Sequence, residues 1–468
     1  MKREESLSIA NPEYNGMDSI QKLGAGIGFL GLIIFVLASF NLLNHSGSSL
    51  LGLGLISILF GVVIYSLRTY LTKSAGIKND GIFHSSLSNK GIAAWLVGIL
   101  LTFYYVLLYL YPSYLGLATD GGENTGLIGF FDPLSQFFKG QPASQWFVYG
   151  TFYTLAMLAL GFKFMLKYRH NRYQLIRTSV VVATQLLLAY LIPEILEGLH
   201  SGKAYFSKDI KNLWPLNYYF FEEWHLKNML DGGNLGMFYL VFGIFMFLIF
   251  TPIITYYVGK RWYCSWICGC GGLAETAGDA FRQHSDKSIK AWKIERWMIH
   301  SVLVLVTVMT SASLYGYFSG NSELFGLSIH SYFTKPYGLF IGAIFSGVIG
   351  VGFYPLMGSR VWCRFGCPMA AYIGLVQRFK SRFRITTNGG QCISCGNCST
   401  YCEMGIDVRS YAQKGQNVVR ASCVGCGVCA AVCPRGVLKL ENGPENGRIK
   451  SEKTLLGNED LDLLKQLK

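Results

Sequence analysis

Charge is scarce in this chain. Only 15% of its 468 residues are Asp, Glu, Lys or Arg, while 51% are hydrophobic. That balance excludes an ordinary soluble domain. Histidine is scarcer still, with eight residues and none in the middle of an apolar run. His300 stands at the start of one run, and His45, His84, His170, His200, His225, His284 and His330 lie between runs. A haem held by facing histidines within a membrane is therefore not expected. Glycine is abundant, but no glycine-rich turn leads from a strand into a helix with Lys-Ser/Thr, which excludes a phosphate-cradling loop. The first 22 residues have neither an apolar core nor a small-residue cleavage site, so no removable signal peptide is expected.

What the chain does have is eight apolar runs, at roughly 23–43, 49–70, 91–112, 146–167, 175–196, 235–258, 297–318 and 336–357. Each is long enough to span a hydrocarbon core, which takes about 20 residues. Small residues at Gly24, Gly26 and Gly28, and again at Gly342, Gly347, Gly350 and Gly352, allow close approach of such helices. Lys and Arg number 41 against 27 acids, a formal net charge of +14. With the N-terminus placed inside, the outer loops carry only Lys139, Lys203, Lys208, Lys211, Lys227 and Lys335. The inner loops hold the dense sets Lys163, Lys167, Arg169, Arg172, Arg177 and Lys260, Arg261, Arg282, Lys287, Lys290, Lys293, Arg296. The bias predicts a multi-pass protein of a bacterial inner membrane with both termini cytoplasmic. The basicity then follows the membrane, its lipid being the partner, and points to no nucleic acid.

Thirteen cysteines are present, and eight of them fall in two runs near the C-terminus. The first is Cys392-x2-Cys395-x2-Cys398-x3-Cys402; the second is Cys423-x2-Cys426-x2-Cys429-x3-Cys433-Pro434. This is the spacing of a bacterial two-cluster ferredoxin, in which the fourth cysteine of each run ligates the other cluster. It predicts two [4Fe–4S] clusters: one held by Cys392, Cys395, Cys398 and Cys433, the other by Cys423, Cys426, Cys429 and Cys402. Gly396, Gly425 and Gly427 supply the tight turns. Zinc sites use paired cysteines with a free span between them, and cysteines on the cytoplasmic side stay reduced rather than forming disulfides. Glu403 stands after Cys402 where the pattern has proline, which predicts a looser exit from that cage.

The other five cysteines sit at the inner ends of two spans. Span six runs into Arg261-Trp-Tyr-Cys264-Ser-Trp-Ile-Cys268-Gly-Cys270, and span eight into Arg360-Val-Trp-Cys363-Arg-Phe-Gly-Cys367-Pro368. A helix through either C-x3-C would put both sulfurs on one face, with Gly269 or Pro368 breaking it beyond the second. Three readings stand: a third iron–sulfur or other metal site of Cys264, Cys268, Cys363 and Cys367; a redox dithiol or metal-transfer site; or buried, unreacted thiols. Arg261 and Arg364 are placed to offset thiolate charge. Cys270 is read as a spare ligand. Two spans ending alike hint at a repeated unit, but their flanking sequences match too poorly to establish one.

Together these motifs resemble the membrane-bound polyferredoxins, which pair two C-x3-C-P motifs at inner helix ends with a double [4Fe–4S] domain. That group includes the quinol-oxidising subunit of periplasmic nitrate reduction, the C-terminal half of the nitrous-oxide reductase regulator and a copper-reducing oxidase-assembly protein. Arg360-Val-Trp-Cys363-x3-Cys367-Pro368 fits the pattern; Cys264-x3-Cys268-Gly269 departs from it by glycine, and Cys270 is extra. Gly405-Ile-Asp-Val-Arg409 looks most like the copper-reducing branch, whereas eight spans exceed what either the nitrate or the copper branch implies. The resemblance covers about residues 235–440.

The expected fold is an all-α polytopic membrane domain of about eight helices plus a small α+β 2[4Fe–4S] ferredoxin-like domain. Its parts are a segment 1–22, a membrane domain 23–360, a basic linker 361–384 with the second C-x3-C-P motif, the ferredoxin domain 385–440 and a polar tail 441–468, where 454–468 suits a short amphipathic helix. The expected function is electron relay between the quinone pool or a soluble donor and a partner redox enzyme. The alternatives are a metal-centre assembly factor that reduces copper, and a membrane redox sensor. Candidate quinol chemistry on the outer side is limited to Glu194, Glu197 and His200, and to the aromatic-acid loop Trp214–His225, both readable as an interfacial belt. Phe131-Asp132-Pro133 reads as an interfacial turn.

Overall fold

A computed structural model describes residues 17–43, 48–71, 91–119, 122–199, 220–321, 323–379, 381–388 and 391–442. His45, His84, His200, residues 214–219 of the aromatic loop and the tail helix at 454–468 lie outside them.

Eight helices are long and apolar enough to cross a membrane: Ser19–Ser39, Ser48–Leu71, Ile92–Leu110, Gln145–Lys167, Arg172–Leu199, Gly233–Tyr257, Ile289–Ser319 and His330–Gly352. Span seven starts earlier than its apolar run because Ser288 caps it by accepting from the Ala291 N–H, 3.1 Å away. Its first turns therefore form a charged extension, Lys290 to Arg296, beyond the apolar part. Spans one and two pack through glycine. A Cβ on Gly61 would lie 2.4 Å from the Gly28 nitrogen, and one on Gly31 would lie 2.6 Å from the Gly54 carbonyl, whereas Gly26 faces open space.

Three spans contain a wide, π-helical turn: Leu187–Leu191, Met246–Phe250 and His330–Thr334. Each ends two residues before a proline, at Pro193, Pro252 and Pro336. Proline has no N–H and its ring crowds the carbonyl four residues back; widening the preceding turn moves that carbonyl aside.

Beyond span eight, residues 361–384 are largely structured. They hold helices Val361–Phe365 and Pro368–Phe379 and then enter strand Phe383–Thr387. That strand pairs antiparallel with Leu438–Asn442, from Phe383 opposite Asn442 to Thr387 opposite Leu438. Between the strands lie both cysteine runs and the short helices Asn397–Thr400, Val408–Gln413 and Val428–Ala431. The small α+β unit is thus closed by its own first and last strands, and it sits on the ends of spans four to eight.

Candidate functional site

The two cysteine runs fold alike. Cys395-Gly396 and Cys426-Gly427 each lead into a helix of four residues, with both glycines left-handed at φ 82° and 71°. One position earlier, Gly425 (φ 71°) and Ser394 (φ 59°) also turn left-handed, so a serine occupies a place suited to glycine. Its hydroxyl is held by Gln413 Nε2 at 2.7 Å.

Two pockets result. One is lined by Cys392, Cys395, Cys398 and Cys433, the other by Cys402, Cys423, Cys426 and Cys429. The fourth cysteine of each run therefore crosses to the other pocket. Among the described residues, no three His, Cys, Asp or Glu side chains are placed to hold a single metal ion. The pockets instead present four thiols around an apolar space, a donor set that fits a thiolate-ligated iron–sulfur cube. Backbone N–H groups are aimed at the sulfurs, from Ser399 to Cys398, from Ile406 and Met404 to Cys402, and from Val428 to Cys426. Such bonds tune the potential of a cluster.

Burial pushes the Cys402 thiol up to about 11 and those of Cys398 and Cys426 up to about 12. Ligation needs the thiolate, so protons must leave as a cluster enters. Cluster loading of the iron-free protein is therefore expected to strengthen steadily from about pH 6.5 to about pH 8.5, with protons released into the medium. Absorbance of the loaded cluster and an indicator dye would follow both; loading that ignores pH would mean the thiols are already ionised.

The C-x3-C motifs of spans six and eight share one conformation. Gly259 (φ 147°) and Gly358 (φ 89°) turn the chain out of each span. Short helices Trp262–Trp266 and Val361–Phe365 then carry Cys264 and Cys363. Neither motif stays helical through both cysteines. Ile267 and Gly366, at φ −127° and −128°, break the helix, and Cys268 and Cys367 fall in the break. The N–H groups of Ile267 and Cys268 both donate to the Tyr263 carbonyl, at 3.1 and 2.8 Å. Those of Gly366 and Cys367 do the same to Trp362, both at 3.0 Å. Gly269 and Pro368 do not stop the chain but open new helices, Gly269–Thr276 and Pro368–Phe379. Proline's fixed φ and missing N–H suit a first helical turn.

The two motifs interlock through exchanged arginines. Arg261, three residues before Cys264, donates to the Cys363 carbonyl at 3.1 Å. Arg360, three residues before Cys363, donates to the Cys264 carbonyl at 3.0 Å and lies 3.9 Å from the Cys363 sulfur. Arg360, not Arg364, is the arginine beside the thiols; Arg364 turns away to Glu295 at 2.7 Å and to the Asp286 carbonyl at 2.7 Å. Burial, then Cys363, Cys268 and Cys367, raise the Cys264 thiol. Cys268 goes the other way, to about 7, because the Cys270 thiol donates to it, helped by the Gly271 N–H.

Glu403 does not loosen its cage. Its buried carboxylate meets Arg282 and Arg360, both at 2.9 Å, and its carbonyl accepts from Ser285 Oγ at 2.8 Å. Burial alone would raise it, but Arg282 and Arg360 hold it below the ordinary carboxylate range. Around this contact the ferredoxin unit is bonded to the spans. Tyr173 donates to Gly425 at 3.0 Å, Gln174 to Cys426 at 2.6 Å, Lys260 to Val418 at 3.1 Å and Arg261 to Ala421 at 2.8 Å. Arg177 clamps Glu275, and Lys167 meets Asp279 at 2.7 Å. Among the described residues, the buried Lys and Arg are Lys163, Lys167, Arg177, Lys260, Arg261, Arg282, Arg360 and Arg364, against the acids Glu275, Asp279, Glu295 and Glu403. Twice as many cations as anions suits a socket for anionic thiolate-ligated groups.

The sequence reading misses Gln174 and Gln185 and takes Arg177 only as inner-loop charge; all three belong to span five, where Gln185 Nε2 donates to the Ile267 carbonyl at the helix break of the first motif. Their signal was polarity recurring on one face of an apolar helix. On the far side, Lys139 pairs with Glu194 and Glu197 at 3.2 and 3.4 Å. Asp132 opens helix Asp132–Lys139 and accepts from the Ala143 N–H at 2.7 Å, so it does more than mark a turn. The buried His225 ring faces the Phe220 carbonyl at 3.1 Å.

Residues 391–438 match the family model of the 4Fe–4S dicluster domain, and residues 239–288 and 338–386 each match that of the 4Fe–4S binding domain. Both C-x3-C segments thus match one model, as their shared conformation and exchanged arginines suggest. A curated protein of Escherichia coli (strain K12), "Putative electron transport protein YccM", is 26% identical over 185 residues, 36% of this chain and 48% of its own length. The chain spans about half the length of that relative. No solved structure matches. The two family models and the relative support a 4Fe–4S-binding, electron-transfer family in which the C-terminal region carries iron–sulfur clusters.

Proposed function

We propose that this multi-pass membrane protein relays electrons between the membrane and a redox partner through two [4Fe–4S] clusters. Cys392, Cys395, Cys398 and Cys433 hold one, and Cys402, Cys423, Cys426 and Cys429 hold the other. When bound, the clusters supply one-electron chemistry. A single observation carries the reading: Cys264 of the membrane motifs shares one buried apolar cluster with Cys398 and Cys423, and Cys367 and five more ferredoxin cysteines, half-buried, pack against it. Sites so packed exchange electrons without solvent between them. Cys264, Cys268, Cys363 and Cys367 form the third redox station, where the spans end. The basic residues crowding this face support a cytoplasmic position for it. The relay runs between the quinone pool or a soluble donor and a partner redox enzyme.

The test is anaerobic iron content and EPR of the protein in membranes, before and after addition of a quinol analogue. Two clusters imply about eight irons per chain, and a third about twelve. Cys363→Ser/Cys367→Ser leaves about eight irons and abolishes reduction by the quinol if the motifs serve as a redox station between membrane and clusters. An EPR signal that no quinol alters, in wild type as well, would sink the relay.

A further inference from the structure

We propose that the pocket of Cys392, Cys395, Cys398 and Cys433 is a docking port for a small, acidic, one-electron carrier protein; this rests on the electron-transfer reading above. The two pockets differ in what covers them. The pocket of Cys402, Cys423, Cys426 and Cys429 is roofed by the membrane domain. Tyr173 and Gln174 hold its loop carbonyls, and Arg282 and Arg360 grip Glu403 beside it. Every residue lining it is buried or half-buried.

The first pocket is open. Cys395 is exposed, and beside it Ile393 is 55% exposed, although isoleucine is among the residues most often buried. Pro434 completes this small apolar centre on the same rim. The exposed cations Arg409 and Arg435 line the pocket, and Lys414, also exposed, follows Gln413, which holds Ser394 of the pocket loop. The Arg409 guanidinium lies 3.9 Å from where a Cβ on Gly396 would sit, directly over the pocket loop. Two acids of the first run's flank are engaged elsewhere: Asp407 accepts from Ser399 Oγ at 2.7 Å, and Glu403 is buried. A small apolar centre over a near-surface redox group, ringed by one sign of charge, suits a transient complex steered by opposite charge. The occupant is therefore an acidic protein carrier. One electron passes between the carrier and the cluster at this port, with no bond made and no proton moved. The order of stations becomes carrier, exposed cluster, roofed cluster, C-x3-C thiols, membrane.

The experiment uses cluster-loaded full-length protein in nanodiscs and an acidic [2Fe–2S] ferredoxin as probe. The dissociation constant is measured by calorimetry from about 50 to about 500 mM salt. Wild type is expected to bind ever more weakly as salt rises. Arg409→Glu/Arg435→Glu is expected to weaken binding about tenfold or more at low salt. Lys290→Glu/Lys293→Glu, on the extension of span seven, is expected to bind like wild type. EPR of the dithionite-reduced variants checks that the clusters are retained. If Arg409→Glu/Arg435→Glu loses its cluster signal, Lys414→Glu, outside the pocket lining, takes its place and is expected to weaken binding severalfold. Equal affinity of the port variants and wild type, equal loss in the span-seven variant, or binding indifferent to salt would overturn the proposal. Clusters that dithionite reduces but the ferredoxin never meets sink only the port; absence of any reducible cluster sinks the electron-transfer reading itself.

Discussion

Glu403→Gln is expected to destabilise the protein by about 3–5 kcal/mol, the cost typical of breaking a buried ion pair by removing one partner. Arg282 and Arg360 are fully buried, with 0% of either side chain exposed. Arg282 keeps Asp279, at 2.8 Å, but Arg360 loses its anionic partner. The damage would concentrate where the ferredoxin unit meets the spans, and Arg360 also holds the Cys264 carbonyl. Thermal unfolding in detergent, with cluster absorbance as a second probe, should show the cluster unit failing first. Because Glu403 is held below the ordinary carboxylate range, its contribution is fully present above that range. It is lost only as pH falls through the depressed value, so wild type and Glu403→Gln should converge in strong acid and differ most near neutrality. A variant as stable as wild type at pH 7 would mean the carboxylate is not holding the two arginines.

Cys402→Ser and Cys433→Ser should remove different clusters, each from the run to which the cysteine does not belong. The pockets place Cys402 with Cys423, Cys426 and Cys429, and Cys433 with Cys392, Cys395 and Cys398. Each variant is expected to lose about four irons per chain, since a serine replaces one of four thiolates. Their remaining signals should differ in environment. Cys402→Ser keeps the exposed cluster, whose EPR relaxation should respond to a paramagnetic ion added in solution. Cys433→Ser keeps the roofed one, which should respond little. Identical residual spectra in the two variants would contradict the crossed ligation.

What could be read from the residues was local and periodic. Runs of about 20 apolar residues forced the eight helices, because a bilayer leaves backbone groups no other partners. Spacings of three and four residues between cysteines confined each ferredoxin run to a tight turn around one centre. Relations between distant segments could not be read the same way. Nothing near Glu403 in sequence shows that Arg282 and Arg360 converge on it, so a proline-to-glutamate departure looked like slack. The C-x3-C spacing suggested one helical face, but Tyr263 and Trp362 each accept two N–H groups and break the helix between the thiols.

The membrane helices, the two cysteine runs and their pairing rule are legible along the chain, since they follow from hydrocarbon thickness and covalent reach. Which thiols face the spans and which face solvent is set by folding, as is the exchange of partners by Arg261 and Arg360 between motifs about a hundred residues apart. Burial and charge pairing are properties of segments brought together, and no spacing along a chain specifies them.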